Sequence, residues 1–169
     1  MGCISGGRLK NCDTQAAAGL GRLWLADATE VDSFTTAGTN GAVDTITMAA
    51  AAVFYEFEFL ADTGQLLEEG DNTNGIIVTQ TINSVFKGKT QADRNSVEEM
   101  YKCNCGLVAI VEDSNGQKWF LGYIKNREVK LLSFSADTGT ALGEQSQVAL
   151  VLQAITTEPA LLFEATVPV

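Results

Sequence analysis

A run of eight residues at positions 53–60, V-F-Y-E-F-E-F-L, constrains the fold more than any other stretch of the chain. In an extended strand, successive side chains point to opposite faces of the sheet. One face would then carry the apolar side chains of Val53, Tyr55, Phe57 and Phe59. The opposite face carries Phe54 and Leu60 together with the carboxylates of Glu56 and Glu58. The run therefore predicts a strand between an apolar core and a wet surface.

A second alternating run covers residues 75–86. Apolar residues dominate one parity, and the other carries Thr79, Thr81 and Asn83, which form an uncharged wet face. Neither run contains a proline, a residue that interior strands exclude. Both long strands can therefore be interior strands.

One helix is predicted over residues 90–103. Thr90 is a suitable N-cap, and Asp93 three residues later favours the positive N-terminus of a helix. The spacing of Val97, Met100 and Tyr101 indicates a narrow apolar face.

The remaining patterns favour strands and turns, without alternation of strands and helices. Strands are indicated near residues 20–26, 43–48, 107–112, 118–125, 129–135, 148–155 and 161–167, and residues 29–42 are interpreted as a loop. The predicted fold class is mainly β, an antiparallel sandwich or barrel with one packed α-helix.

The size and composition fit one domain. The chain has 169 residues, of which 46% are hydrophobic and 19% charged, values typical of a globular protein. We expect a single β domain over residues 1–169, in which residues 1–19, rich in Gly and Ala, form a flexible N-terminal arm. The net charge of −10 and the pI near 4.3 argue against binding nucleic acid by phosphate neutralisation and against an anionic membrane partner.

Candidate chemistry is sparse. The chain has no histidine, which removes the commonest general base and metal ligand. Cys103 and Cys105 are separated by one residue, whereas structural zinc pairs usually have two to four. We therefore expect idle thiols and no metal, with a zinc site or disulfide completed by Cys3 and Cys12 as the alternative.

Acidic residues offer two further candidates. The acidic cluster of Glu68, Glu69 and Asp71 is interpreted as a solvated loop, with a cation site as the alternative. Two D-T-G triplets begin at Asp62 and Asp137. Two carboxylates that share a proton would make an aspartic hydrolase, but the triplets are also common turns.

Several blocks of sequence resemble tail tube proteins of tailed bacteriophages, in particular small structural proteins of phages that infect Bacteroidetes hosts. The blocks are Cys12-Asp13, G-L-G-R-L-W-L-A at 19–26, V-F-Y-E-F at 53–57, the segment 106–123, D-T-G-T-A at 137–141 and T-E-P-A at 157–160. The resemblance implies a non-enzymatic virion protein without cofactor or metal. It implies assembly in the host cytoplasm and a final location in the tail.

The same resemblance implies hexameric rings that stack into a tube. The partners would be further copies of the chain, other tail proteins, and genomic DNA passing through without specific binding; no membrane partner is implied. If this holds, we expect the wet faces of the two long strands to line the lumen, namely Glu56, Glu58, Thr79, Thr81 and Asn83. The alternatives are another virion component (a tail terminator, head–tail connector or capsid decoration protein), a ligand-binding β-barrel, or a hydrolase.

Overall fold

The computed structural model describes residues 19–37, 41–58, 62–73, 75–87, 90–103, 105–138 and 146–169. The described strands are β1 (Leu20–Asp27), β2 (Val31–Ala37), β3 (Ala42–Met48), β4 (Tyr55–Glu58), β5 (Gln65–Asp71), β6 (Ile77–Lys87), β7 (Leu107–Asp113), β8 (Lys118–Leu121), β9 (Lys130–Asp137), β10 (Gln147–Thr156) and β11 (Leu161–Phe163). A 3₁₀ turn covers Ala28–Glu30, and the helix α1 covers Gln91–Lys102. The predicted arm, apart from Gly19, lies outside the described residues.

The strands form two sheets. Sheet A has the order β2-β3-β11-β8-β7-β1-β4, and sheet B has the order β5-β6-β10-β9. Neighbouring strands run antiparallel, except for the short parallel contact between β11 and β3. The predicted mainly-β fold with one helix is confirmed, and of its two forms the open sandwich is correct.

The main core fills the space between the sheets. Leu23 from sheet A and Ile82 and Leu152 from sheet B are almost completely buried there. Burying an aliphatic side chain of this size contributes roughly 1.5–3 kcal/mol. Inward-facing residues of both sheets therefore hold the sandwich together.

A second core covers the other face of sheet A. Trp24, Ile110 and Phe120 pack there with Phe54 and Phe163. Phe34 of β2 meets Phe120 edge-to-face, with ring centroids 5.4 Å apart. Sheet A is therefore apolar on both faces along β1 and β7, where the sequence shows no polar alternation.

Strand β6 agrees with its prediction. It lies between β5 and β10, so it is an interior strand. Gln80, Ile82 and Ser84 are buried against the main core. Thr79, Thr81 and Asn83 alternate with them and are only half-buried.

The structure corrects the prediction of one long strand at residues 53–60, of which it describes 53–58. Strand β4 comprises four described residues and lies at an edge of sheet A. Phe57 packs on Phe86, as expected, but Tyr55 is 64% exposed and Phe54 is 2% exposed. The backbone N–H of Phe54 donates to the Pro168 carbonyl at 2.8 Å. The C-terminal segment thus holds Phe54 in the second core, on the face predicted to be wet.

The prediction of a loop over residues 29–42 is also wrong, because Val31–Ala37 forms the edge strand β2. Its Thr residues favour extended backbone, and Phe34 anchors it to the second core. The turn chemistry at Asn40-Gly41 dominated the sequence pattern and hid this strand.

The helix begins as predicted. The Thr90 hydroxyl accepts from the Asp93 N–H, and the Asp93 carboxylate accepts from the Thr90 N–H, which completes a capping box. Val97 and Met100 pack toward the inner face of sheet B. Tyr101 is 71% exposed, so its predicted place on the packed face is wrong. Tyr101 lies one helical turn beyond Val97. The helix covers only one end of sheet B, where Val97 packs with Val148 and Leu150, and Tyr101 is not part of this cluster.

Val97→Asp should prevent folding, because it places an unpaired carboxylate among Val148 and Leu150. Tyr101→Asp is the matched control, since it adds the same charge to the same helix at an exposed position. Circular dichroism and gel filtration of both variants measure the result. Two folded proteins of equal stability would contradict the assigned helix face.

Candidate functional site

Sheet B turns one face away from the main core, and the central part of this face carries no charged side chain. We call it the polar face; its central members are Gln65, Leu67, Thr79, Thr81, Asn83, Ser133, Ser135, Ala149, Val151 and Gln153. The Gln153 side-chain amide donates to the Thr81 hydroxyl at 3.4 Å. The charged residues of this face, Glu69, Asp71, Lys87, Lys130 and Asp137, lie toward the ends of their strands. The result is a long surface of hydroxyl, amide and aliphatic groups.

The two edges of sheet B are open within the described part of the chain. Strand β5 pairs there with β6 alone, and β9 pairs with β10 alone. All three ladders of the sheet are antiparallel, so its four strands alternate in direction. If copies repeat around an axis, β9 of one copy meets β5 of the next in antiparallel orientation. Unpaired edges of this kind are templates for strand pairing.

The structure does not bring the five predicted lumen residues together. Thr79, Thr81 and Asn83 share the polar face of sheet B, whereas Glu56 and Glu58 are exposed on β4 of sheet A. Glu56 lies 3.5 Å from the Arg22 guanidinium. The two wet surfaces therefore belong to different sheets of the sandwich.

The described cysteines, Cys103 and Cys105, are free thiols. The Cys103 thiol donates to the Gly106 carbonyl at 3.5 Å and faces the Asp27 carboxylate at 3.7 Å. Burial and, secondarily, the negative Asp27 raise the pKa of the Cys103 thiol, so the thiolate that would act as a ligand or nucleophile is disfavoured. Across the described ranges, no group of three or more His, Cys, Asp or Glu side chains is placed to hold a metal.

Cys103→Ser with Cys105→Ser should leave the fold intact, with a loss of stability within about 1 kcal/mol because neither side chain belongs to the fully buried core. Urea denaturation of the double variant beside the native protein measures the change. Stoichiometric zinc in the native protein, with unfolding by a chelator, would show instead that the thiols are ligands.

The two D-T-G triplets do not form a carboxylate pair within one subunit. Asp62 occupies a left-handed turn before β5, and Asp137 ends β9. These strands are the opposite edges of sheet B, so three strand spacings separate them, roughly 14 Å. Carboxylates that share a proton must lie about 3 Å apart. Asp62 therefore belongs to a turn, and Asp137 to the end of a strand.

The acidic cluster lies in strand β5, which corrects its interpretation as a loop, and two of its members have structural contacts. Glu68 accepts from the Gln80 side-chain amide at 2.9 Å and from the Ala160 N–H at 2.7 Å. Asp71 accepts from the hydroxyl and N–H of Thr73, and these bonds lower the pKa of the Asp71 carboxyl. Glu68 therefore ties β5 to the C-terminal segment, and Asp71 closes a turn.

The structure also shows a feature that the sequence did not predict. A groove of about 480 Å³ runs between α1 and β9, and we call it the α1–β9 groove. Its apolar surface comes from Val97, Tyr101, Phe134, Ala136 and Val148, and its helix wall carries Asp93, Arg94 and Glu98. Phe134 is 52% exposed in it. The alternation in β9 places Phe134 and Ala136 on one face, but their juxtaposition with the helix depends on the tertiary fold.

The helix of the described ranges has 12 residues, and none of the helical structure there is long and apolar enough to cross a membrane. No protein-family model, curated protein or solved structure matches the chain.

Proposed function

We propose that the protein is the subunit of a hollow tail tube and that the polar face of sheet B lines its lumen. The observation that carries the proposal is a four-stranded antiparallel sheet with one face packed, the centre of the other face uncharged, and both edges open among the described residues. The resemblance to phage tail tube proteins supports the same role, and with it a location in the virion tail after assembly in the host cytoplasm.

The chemistry of the polar face suits a conduit for DNA. Phosphates bind tightly to clustered Lys and Arg, with release of counterions. Thr, Ser, Asn and Gln offer only neutral hydrogen bonds, which water replaces easily. The net charge of −10 adds a general repulsion of the polyanion. DNA would thus pass without specific binding.

The open edges provide a way to close a ring. Strand β9 of each copy would pair with β5 of the next, so that a ring of six copies shares one continuous sheet. Each new backbone hydrogen bond contributes about 0.5–1.5 kcal/mol. Without stagger between copies, the register puts Gln65–Leu67 of one copy level with Lys130–Ser133 of the next, so a short ladder of such bonds adds to the association energy.

Negative-stain electron microscopy of the purified protein tests the proposal. We expect hexameric rings or tubes with a central hole. A protein that remains monomeric at high concentration, or that forms solid particles without a hole, would contradict it. A ring with β4 on the inner wall would retain the tube but reject sheet B as its lining.

A further inference from the structure

We propose that residues 1–18 of each subunit dock in the α1–β9 groove of the neighbouring subunit. The proposal rests on the proposed function, because it requires the ring in which β9 meets β5 of the next copy. It assigns the groove an occupant, a segment of the same chain supplied by a second copy.

The first support is the place where residues 1–18 join the described structure. The Leu20 N–H donates to the Gly64 carbonyl at 3.0 Å, and Gly64 directly precedes β5. Leu20 itself is buried in the main core between the sheets. The arm therefore leaves the sandwich at the β5 side, on the core-facing side of sheet B.

The second support is that the exit of the arm and the groove lie at the same position along the strands of sheet B. Gln65 pairs with Asn83, and the Thr63 hydroxyl donates to the Val85 carbonyl, so the register places Gly64 opposite Ser84. Ser84 pairs with Leu150, and Leu150 pairs with Phe134. The arm's exit and Phe134 thus share one cross-strand row, at opposite edges of the sheet.

This row favours the neighbour's groove over the subunit's own. Within one subunit, the direct path from Gly64 to Phe134 is filled by the buried residues Ser84 and Leu150, of which Leu150 packs with Val97 of the helix. The contact of Phe57 with Phe86 lies beside this path. In the proposed ring, an unstaggered junction places β5 of one copy a single strand spacing, about 4.8 Å, from β9 of the next. The arm then enters the next subunit's groove from its open side.

The composition of the arm matches the groove. Met1, Ile4 and Leu9 can cover the exposed apolar surface of Phe134 and Tyr101. The side chains of Arg8, Lys10 and Asp13 give the arm a net charge of +1 in a chain whose total is −10. The helix wall carries Asp93, Arg94 and Glu98, and Glu98 is also paired with Lys102, which leaves Asp93 as the carboxylate without a basic partner on the helix. At about 3.3 Å per extended residue, the arm is long enough to cross the junction.

Native cysteines in the arm allow a direct test in the full chain. In a background with Cys103→Ser and Cys105→Ser, Ala136→Cys places a thiol in the groove, within reach of Cys3 or Cys12 of a docked arm. Ser135→Cys is the matched control, because it is the adjacent exposed residue and lies on the polar face. Mild oxidation of assembled rings, followed by a non-reducing gel, reports disulfides between subunits.

We expect the Ala136→Cys protein to form a ladder of linked subunits roughly tenfold faster than the Ser135→Cys protein, because docking raises the local thiol concentration. Adding Cys3→Ser and Cys12→Ser should abolish the ladder. Arg94→Cys against Asn95→Cys repeats the comparison from the helix wall, should Ala136→Cys fail to fold. Intact rings with equal rates, or with linkage only inside one chain, would overturn the docking and leave the tube intact. A protein that never forms rings would overturn both.

Discussion

Tubes that carry Thr79→Lys, Thr81→Lys and Asn83→Lys together should hold DNA that native tubes release. The three side chains lie on the half-buried polar face of β6, which tolerates longer polar groups without disturbing the core. If this face lines the lumen, every subunit would add three cations beside the passing DNA. For each phosphate that these cations neutralise, the plot of log DNA-binding constant against log salt concentration becomes steeper by roughly 0.9. Ejection from variant particles should be slow at low salt and recover as salt rises.

Glu56→Lys with Glu58→Lys is the informative control. It changes the subunit charge by a similar amount, but on exposed positions of β4 in sheet A. We expect ejection from those particles to match the native rate. If DNA is retained only by particles with Glu56→Lys and Glu58→Lys, then β4 lies at the lumen and the polar face does not line it.

The strands that the sequence predicted well are those whose surroundings are simple. Strand β6 has a core on one face and solvent on the other, so its period of two translates directly into Ile82 inside and Thr81 outside. The helix cap was equally local, because Thr90 and Asp93 satisfy each other's backbone groups. In both cases the residues that decide the structure are neighbours in sequence.

Strand β4 shows where such reasoning fails. Its alternation is genuine, and Glu56 and Glu58 are exposed as expected. Yet Phe54 is held by Pro168, more than a hundred residues away, and Tyr55 lies at an open edge. A periodic pattern gives the two faces of a strand, but not the sheet to which the strand belongs. For the same reason, the shared lumen face of β4 and β6 was a prediction that the topology does not support.

The α1–β9 groove depends on the same long-range information. Phe134 and Val97 are 37 positions apart, and no motif links them. The helix begins close to the end of β6, so the chain returns along the inner side of sheet B, and β9 then arrives at the edge beneath it. The alternation in β9, which puts Phe134 and Ala136 on one face, was the available signal, but it does not identify the element opposite.

Gly122→Ala should be among the most destabilising single substitutions in the chain. Gly122 has a φ of +76°, and an added Cβ would lie 2.7 Å from the Leu107 carbonyl oxygen and 2.9 Å from Val129 Cγ2. That carbonyl accepts from the Val129 N–H at 2.9 Å, while the Leu107 N–H donates to the Val129 carbonyl at 2.8 Å. The methyl group would push apart this paired contact at the start of β7. We expect a loss of roughly 3–5 kcal/mol, in the range where a single mutation unfolds a domain.

Gly116→Ala separates the clash from the backbone strain. Gly116 has a φ of +80°, nearly the same conformation, but nothing lies within 4 Å of a Cβ added there. Its substitution should cost only the left-handed penalty of an L-residue, roughly 1–2 kcal/mol. Urea denaturation of the two variants at equal protein concentration gives the difference. Equal losses would mean that the contact between Leu107 and Val129 moves aside freely, which is incompatible with a Val129 side chain that is 1% exposed in the main core.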